Sequence, residues 1–368
     1  MSARALRVAV VAARYPPLSG GVELHTEQVS QRLAAAGVDV TVLTTDLSGE
    51  LPAAEERDGV RIRRLPAWPR GRDYYLCPGI YRELVGGDWD LVHVQGFQTL
   101  VAPTAMLAAL RARLPYVVTF HAGGHSARLR KALAPAQERV LRPLLRRAER
   151  LVALTPAEAD ERARRLGVPR ERFAVIPNGA DLPDESAAAS VRDPDLIASI
   201  GRLERYKGHH RVLAALPHVL ARRPRTRLWI GGGGPFEQAL REQAAELGVA
   251  DRVDIRAIPL EERARMAAEL ARVSVVVCLS EFESQGIAVF EALGQGCRTV
   301  VARAPGLIAL VDEGLARGVE LDAPPEEVAR VVVEELQRPP LPSPPDLPTW
   351  DGCADAVLAL YLEVTRPR

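Results

Sequence analysis

The chain has 368 residues, 47% of them hydrophobic, and a formal net charge of +1 at pH 7. That length exceeds one ordinary domain, so two are expected, with ample apolar material for their cores. The near-neutral charge excludes a general attraction to nucleic acid, and no apolar run approaches a membrane span. The four cysteines, Cys77, Cys278, Cys297 and Cys353, form no CxxC pair, and two lie in or beside strand-like runs. Reduced thiols in a cytoplasm fit that usage better than a disulfide framework or a zinc site.

Strand and helix patterns alternate along the chain. Leu6 to Ala13 reads as a strand; Arg4 and Arg7 before VAVVAA give it a faint signal-peptide look, but Arg14 and the prolines cut the apolar run short. A turn at Tyr15 to Gly21 leads into a helix from about Val22 to Ala36. Further strands are expected at Val38 to Thr45, Val60 to Arg64, Leu91 to Val94, Tyr116 to Phe120, Leu151 to Leu154 and Phe173 to Ile176. Leu182 to Pro194 loses periodicity and reads as a linker. A second series runs through Leu196 to Ile200, Arg227 to Ile230, Val253 to Ile255, Val273 to Cys278, Thr299 to Ala302 and Val319 to Leu321. Buried strands alternating with helices mean parallel sheets covered on both faces. The expected fold class is therefore α/β, with two Rossmann-like doubly wound domains facing a deep cleft. The proline-rich run Arg338 to Pro348 cannot be helix or central strand, and Cys353 to Val364 returns to a helical pattern as a closing element.

The richest stretch is Cys278 to Gly296. A polar turn with Glu281, Glu283 and Ser284 joins a buried strand to a helix starting near Gly286, and Gly294 and Gly296 can end that helix. Bare amides around Gly286 and Ile287, at the positive end of the helix dipole, would attract an anion such as a phosphate. Glu283 lies in the turn, free to reach into a cleft. Glu291 lies one turn beyond Ile287 on the same face, where a carboxylate beside phosphates suits vicinal hydroxyls. The plain alternative makes Glu291 a solvated helix residue and Glu283 a partner of the dipole.

Other turns offer similar chemistry. Gly20-Gly21 enters the first helix where a phosphate-binding turn would stand, but without the GxGxxG spacing a nicotinamide dinucleotide is poorly supported. Gly231 to Gly234, including Gly233, is expected to open the helix after the strand ending at Ile230, and either meets a ligand or lets that helix pack closely. Gly201 to Gly208 follows a strand and carries Arg202 and Lys207, two cations that could offset charge on a departing diphosphate. An ordinary basic loop is the alternative there. Lysine is rare in this arginine-rich chain, only Lys131 and Lys207, which draws notice to Lys207.

Six pieces in order, PPLSGGVE at Pro16 to Glu23, TFHAGG at Thr119 to Gly124, IPNGAD at Ile176 to Asp181, GRLERYKG at Gly201 to Gly208, GGGGP at Gly231 to Pro235 and the Glu283/Glu291 pair, resemble glycosyltransferase family 4 across nearly the whole chain. The resemblance implies a retaining enzyme of GT-B fold that moves a hexosyl group from a nucleoside diphosphate sugar to an acceptor hydroxyl. By that resemblance Arg202 and Lys207 hold the donor diphosphate, and Glu291 binds the ribose. Glu283 and the backbone around Gly286 position the donor sugar, with Ser284, Gln285 and Ile287 in the same turn, while His121 and Gly21 face the reacting centre. It also implies that the last helix runs back to the N-terminal domain. Ser284-Gln285-Gly286 departs from the family's usual Gly-Phe-Gly, which bears on the sugar accepted or only on loop packing. Ala257 stands where a helix-packing glycine is often found.

The expected layout is an acceptor-side domain over 1–182, a linker over 183–194, a nucleotide-sugar domain over 195–345 and a closing helix over 349–368. No cofactor or metal is expected: Asp88-Trp89-Asp90 spells a DxD motif but reads as a capped surface turn, and the histidines show no ligand spacing. Uridine is preferred slightly over guanosine as the base. The acceptor, whether small molecule, glycan or lipid-linked, is open. A sugar-nucleotide epimerase and a silent sugar-nucleotide-binding protein are the competing readings. The segment 125–150 is basic and amphipathic, with Arg128, Arg130, Lys131, Arg139, Arg142, Arg146, Arg147 and Arg150. It could rest on anionic lipid, but a solvated helix bordering a polar or anionic acceptor in a cytoplasmic enzyme is the preferred reading.

Overall fold

The computed structural model describes residues 4–18, 20–69, 75–97, 99–121, 128–183, 191–341 and 345–366, with backbone alone for 128–135. Gly123, Gly124 and His125, and positions 184–190 of the expected linker, lie outside the described residues. The chain divides into two compact units: Met1–Ala122 with Ala132–Gly179 and Thr349–Arg368, and Gly123–Lys131 with Ala180–Pro348.

In chain order the first unit contains β1 (Arg7–Ala12), α1 (Gly21–Ala35), β2 (Asp39–Asp46), β3 (Ala54–Arg57) and β4 (Val60–Pro66). It continues with α2 (Pro78–Gly86), β5 (Leu91–Gln95), α3 (Val101–Ala112), β6 (Tyr116–Thr119), α4 (Arg128–Leu145), β7 (Arg150–Ala153), α5 (Pro156–Leu166) and β8 (Phe173–Val175). The sheet order is β3-β4-β2-β1-β5-β6-β7-β8, doubly wound about β1. Every pairing is parallel except β3 with β4. That antiparallel edge corrects the expectation of parallel strands alone. AEER at Ala54 to Arg57 has no apolar alternation, because an edge strand with wet faces needs none.

The second unit contains β9 (Asp193–Ile200), α6 (His209–Leu220), β10 (Arg227–Gly231), α7 (Glu237–Glu246), β11 (Val253–Arg256) and α8 (Arg263–Arg272). Then come β12 (Val273–Cys278), α9 (Ile287–Gly294), β13 (Arg298–Ala302), α10 (Ile308–Asp312), β14 (Arg317–Val319) and α11 (Pro325–Gln337). The order is β11-β10-β9-β12-β13-β14, all parallel. Strand β9 takes in Asp193 and Pro194, the last two residues of the segment expected to be linker. Val275 to Val277 of β12 are fully buried, as a strand covered on both faces requires.

The last helix, α12 (Trp350–Thr365), belongs to the first unit and packs along α1. Its buried Tyr361 hydroxyl lies 2.6 Å from His93 Nδ1, while His93 Nε2 lies 2.7 Å from the Thr119 hydroxyl. At its first residue, the Trp350 ring meets the edge of His25, whose Nδ1–H donates to Asn178 Oδ1 at 2.7 Å. Gly179 runs so close beneath this helix that a Cβ there would stand 2.2 Å from the Trp350 nitrogen. Burial lowers the pKa of His25 to about 4, against the hydrogen bond it donates to Asn178, and that of His93 to about 3, with His25 adding to the effect.

Those two rings are neutral in the folded chain, while their unfolded pKa is 6.5. Between those values the unfolded state binds more protons, so stability falls as pH drops. Unfolding free energy from urea titrations should be flat above pH 7 and fall on the order of 3 kcal/mol per buried histidine by pH 4. His93→Gln should remove part of that slope; an unchanged slope would take His93 out of the account.

Candidate active site

Strands β9 and β12 lie side by side in register, Ile197 beside Val275 and Ala198 beside Val276. From β9 the chain turns toward β10 on one side, and from β12 toward β13 on the other. In an open parallel sheet the carboxyl ends at such a reversal are where ligands sit. The loops leaving these two strands carry Arg202 and Lys207, and Glu283 to Ile287.

Adjacency of the strands brings residues 76 positions apart into contact. Lys207 Nζ donates to Glu283 Oε1 at 2.7 Å and Oε2 at 2.8 Å. The side chains are 17% and 12% exposed, so the pair is mostly out of water. The buried Ser280 hydroxyl lies 2.7 Å from Glu283 Oε1 and 3.2 Å from the Lys207 carbonyl, tying both loops together. Burial pulls the Lys207 ammonium down, but the charge of Glu283 and the nearby Tyr206 more than offset it, so its pKa stands above that of an ordinary lysine. Cys278, under the pair, is pushed up to about 11 by burial and then by Glu283, which keeps it an inert thiol. Glu283 is therefore a held partner of Lys207, not a side chain free to reach out.

Arg202 is likewise partnered. It donates to the Tyr206 hydroxyl at 2.9 Å and pairs with Glu204 at 3.2 Å, with a third of its side chain exposed. His209 stands behind this loop with Nδ1 2.8 Å from Ser199 Oγ and Nε2 3.2 Å from the Arg202 carbonyl. The glycine run settles largely as packing. A Cβ on Gly232 would stand 1.9 Å from the Gly201 oxygen, and Gly234, at a φ of 155°, would press on the Leu203 backbone. Gly233 has open space around it, the one member of the run with room for a ligand. Helix α7 starts only at Glu237, so the run forms a loop and does not itself open the helix.

Helix α9 starts as expected. Gly286 caps it in the left-handed region at φ 80°, and a Cβ there would also meet Leu307 at 2.8 Å. Gln285 is buried beneath the turn and Ser284 precedes it. Glu291 is not a solvated helix residue: it is buried and ion-paired with Arg263 at the start of α8. Burial raises its pKa above the carboxylate norm; Arg263 opposes the shift and Asp181 adds to it.

In the first unit, His121 follows β6 and is buried, its Nε2–H donating to Gln95 Oε1 at 2.7 Å, and its ring edge meets His25 at 4.7 Å between centroids. Burial, reinforced by His25 and His93, holds its pKa well below the ordinary value. Gly20 caps α1 and Gly21 opens it, with the Glu23 carboxylate folded back to 2.2 Å from where a Gly20 Cβ would stand. Arg64 is buried, donating to the Pro16 carbonyl at 2.8 Å and to Glu55 at 2.7 Å, and so anchors the turn. Asp88 and Asp90 are in ion pairs with Arg4 and Arg7, in keeping with a capped surface turn. In α4, Arg142 donates to the Leu166 carbonyl and Arg146 to that of Gly167, closing the end of α5.

Sequence reasoning missed Ser280, Tyr206, Glu204, Arg263, Gln95, Asn178 and Arg64, the partners of the functional candidates. Asn178 of IPNGAD, Glu204 and Tyr206 of GRLERYKG, and Ser280 of the Cys278 to Gly296 stretch stood within motifs already noticed; Arg263, Gln95 and Arg64 did not. Lys207→Met should strand the Glu283 carboxylate and lower stability by about 3 kcal/mol, and adding Glu283→Gln should recover most of it. Denaturant titration of the single and double variants reads this; an equal loss in both would mean the pair is not the cause.

Residues 19–183 match the family described as Glycosyltransferase Family 4, and residues 184–342 match Glycosyl transferases group 1. A D-inositol 3-phosphate glycosyltransferase of Nocardiopsis dassonvillei is 32% identical, over 98% of this chain and 95% of its own. A glycogen synthase of Mycobacterium tuberculosis is 30% identical, over 82% of this chain and 79% of its own. Among solved structures, Anabaena HepE in complex with UDP and glucose has a TM-score of 0.69 at 18% identity, covering 98% of this chain and 95% of its own. The sucrose-phosphate synthase of Thermosynechococcus elongatus has a TM-score of 0.71 at 20% identity, covering 98% and 96%. The chain belongs to glycosyltransferase family 4, and it is a glycosyltransferase of GT-B fold.

Proposed function

We propose that the protein is a retaining hexosyltransferase that takes its sugar from a nucleoside diphosphate sugar, UDP-linked before GDP-linked, and gives it to an acceptor hydroxyl. The observation that carries this reading is the Lys207–Glu283 pair beside the glycine-capped start of α9, at the carboxyl ends of β9 and β12. The ammonium has three N–H donors, and Glu283 takes two. The third is available to a diphosphate oxygen, with Arg202 and the first amides of α9 as further donors. Glu283 thus fixes the position of Lys207, and the diphosphate meets donors that need little reorganisation as charge develops on it. Gly233, Ser284, Gln285 and Ile287 border the sugar and phosphates, and Glu291 takes the ribose. His121, neutral and oriented by Gln95, and the Gly20–Gly21 turn are the first unit's contribution.

The leaving phosphate takes the acceptor proton in this scheme, so neither a strong protein base nor a metal is required. The carboxylates of Asp88 and Asp90 are engaged by arginines, in keeping with a metal-independent reaction. UDP as donor nucleotide is supported by the structures whose complexes hold it. The relatives act on acceptors as different as D-inositol 3-phosphate and, in the glycogen synthase, a glycan. A polyol phosphate and a glycan are therefore the first acceptors to try. We place 1–182 on the acceptor side, 195–345 on the donor side, with 183–194 between and 349–368 closing the first domain. Four buried free thiols accord with a cytoplasmic setting. Among the described residues no helix is long and apolar enough to cross a membrane. Arg142 and Arg146 are occupied in closing α5, which favours a polar acceptor over a lipid surface at 125–150.

Nucleotide release from UDP- and GDP-sugars, followed with and without candidate acceptors, tests the reading. Release that depends on an acceptor supports transfer; donor converted without acceptor means an epimerase, and donor bound without turnover a silent binding protein. Lys207→Ala should lower turnover roughly 100-fold, the loss of about 3 kcal/mol from one well-placed donor. Near-wild-type rates in a folded Lys207→Ala variant would overturn the assignment.

A further inference from the structure

Helix α9 buries Val289, Ala292 and Leu293 along with Glu291, so an apolar residue at position 291 would have apolar company. An ion pair out of water is no better for stability than well-packed apolar residues, and is often worse. The Glu291–Arg263 pair therefore invites a use besides holding α8 to α9. Their side chains are 4% and 14% exposed, so the pair is sheltered but not sealed. Within the described residues each side chain's one polar partner is the other: one Arg263 nitrogen, Nη2, meets one Glu291 oxygen, Oε1. A guanidinium has five N–H donors and a carboxylate two acceptor oxygens. The pair thus retains both donor and acceptor capacity at one spot.

Position matters equally. Glu291 is four residues beyond Ile287, about 6 Å along the axis from the bare amides of the first turn. A ribose is separated from its diphosphate by a similar span. Each hydroxyl of a cis-diol is donor and acceptor at once, so a carboxylate alone reads half of it. The charged groups facing Glu291 are Arg263 on α8 and Asp181 in the segment after β8. With Asp181 and burial both favouring a proton on Glu291, Arg263 keeps the carboxylate able to accept.

We propose that Arg263 and Glu291 together read the nucleotide's 2′-hydroxyl, Glu291 accepting its proton and Arg263 donating to its oxygen. This rests on the reading of Glu291 as the ribose ligand and adds Arg263 as a residue that sets ribose specificity. Titration calorimetry with UDP and GDP and their 2′-deoxy forms tests it. Wild type should bind the better of the two nucleotides about 10-fold more tightly than its 2′-deoxy form, the worth of one good hydrogen bond. Arg263→Met should lose about 10-fold for the ribonucleotide, leave the 2′-deoxy form nearly unchanged, and so bring the ratio close to one. Arg263→Lys keeps the charge without the planar fork and should fall between the two. A wild-type ratio in Arg263→Met or Arg263→Lys, while Glu291→Gln abolishes it, would make Arg263 a purely structural partner and overturn the proposal. A wild-type ratio in Glu291→Gln would overturn the ribose reading beneath it, and absence of nucleotide binding by wild type would overturn the donor reading. If Arg263→Met proves unfolded by circular dichroism, the Lys variant decides.

Discussion

The closest constraint in the second unit is the ion pair between Lys207 and Glu283. Two opposite charges taken largely out of water must be held at hydrogen-bond distance, since a loosened pair leaves a charge without compensation. The surrounding backbone meets that demand by approaching too closely for side chains. Gly208, at φ 77°, would drive a Cβ to 2.0 Å from the Leu279 carbonyl, and Gly306, at φ 82°, to 1.9 Å from that of Glu283. The loops after three neighbouring strands, β9, β12 and β13, are therefore locked by glycine and by the Ser280 hydroxyl around one ion pair. That stiffness is what a site needs if its donors are to stand ready for charge that appears only in the transition state.

Buried polarity is met in two ways. In one, formal charges are paired: Lys207 with Glu283, Arg263 with Glu291, Arg64 with Glu55. In the other, neutral rings and hydroxyls share protons: His93 with Tyr361 and Thr119, His25 with Asn178, His209 with Ser199. The depressed pKa values of His25, His93 and His121 all arise first from burial, so their neutrality is built into the packing.

Much of this architecture was legible in the sequence because the strands are parallel and buried. Val275 to Val277 and Val8 to Val11 read as continuous apolar runs, and the glycines, prolines and polar turns between them mark the loops. The candidate residues were legible too, since Lys207, Glu283 and Glu291 stand at loop ends and helix starts with a chemistry of their own. Their partners were not. Nothing local to Arg263 says it meets a residue 28 positions away, and nothing local to Glu283 says that Lys207, 76 positions earlier, will claim both its oxygens. Those meetings follow from the order in which strands pair, which propensity does not encode. AEER at Ala54 to Arg57 was missed for the opposite reason: an edge strand bearing charge has lost the pattern by which strands are known.

The docking of α12 on the first unit has a consequence for how the chain comes into being. The strands of that unit are complete by Val175, yet the helix that covers His93 and encloses Gly179 begins at Trp350. During synthesis the whole of 180–348 must emerge before the first unit receives its final wall. Closing such a long loop costs little extra entropy, because the cost grows only with the logarithm of length. The delay in time is the greater burden. Until α12 arrives, the site along α1 that its Trp350 and Tyr361 fill stands open on a nascent chain, a surface for a chaperone or for a neighbouring chain's α12.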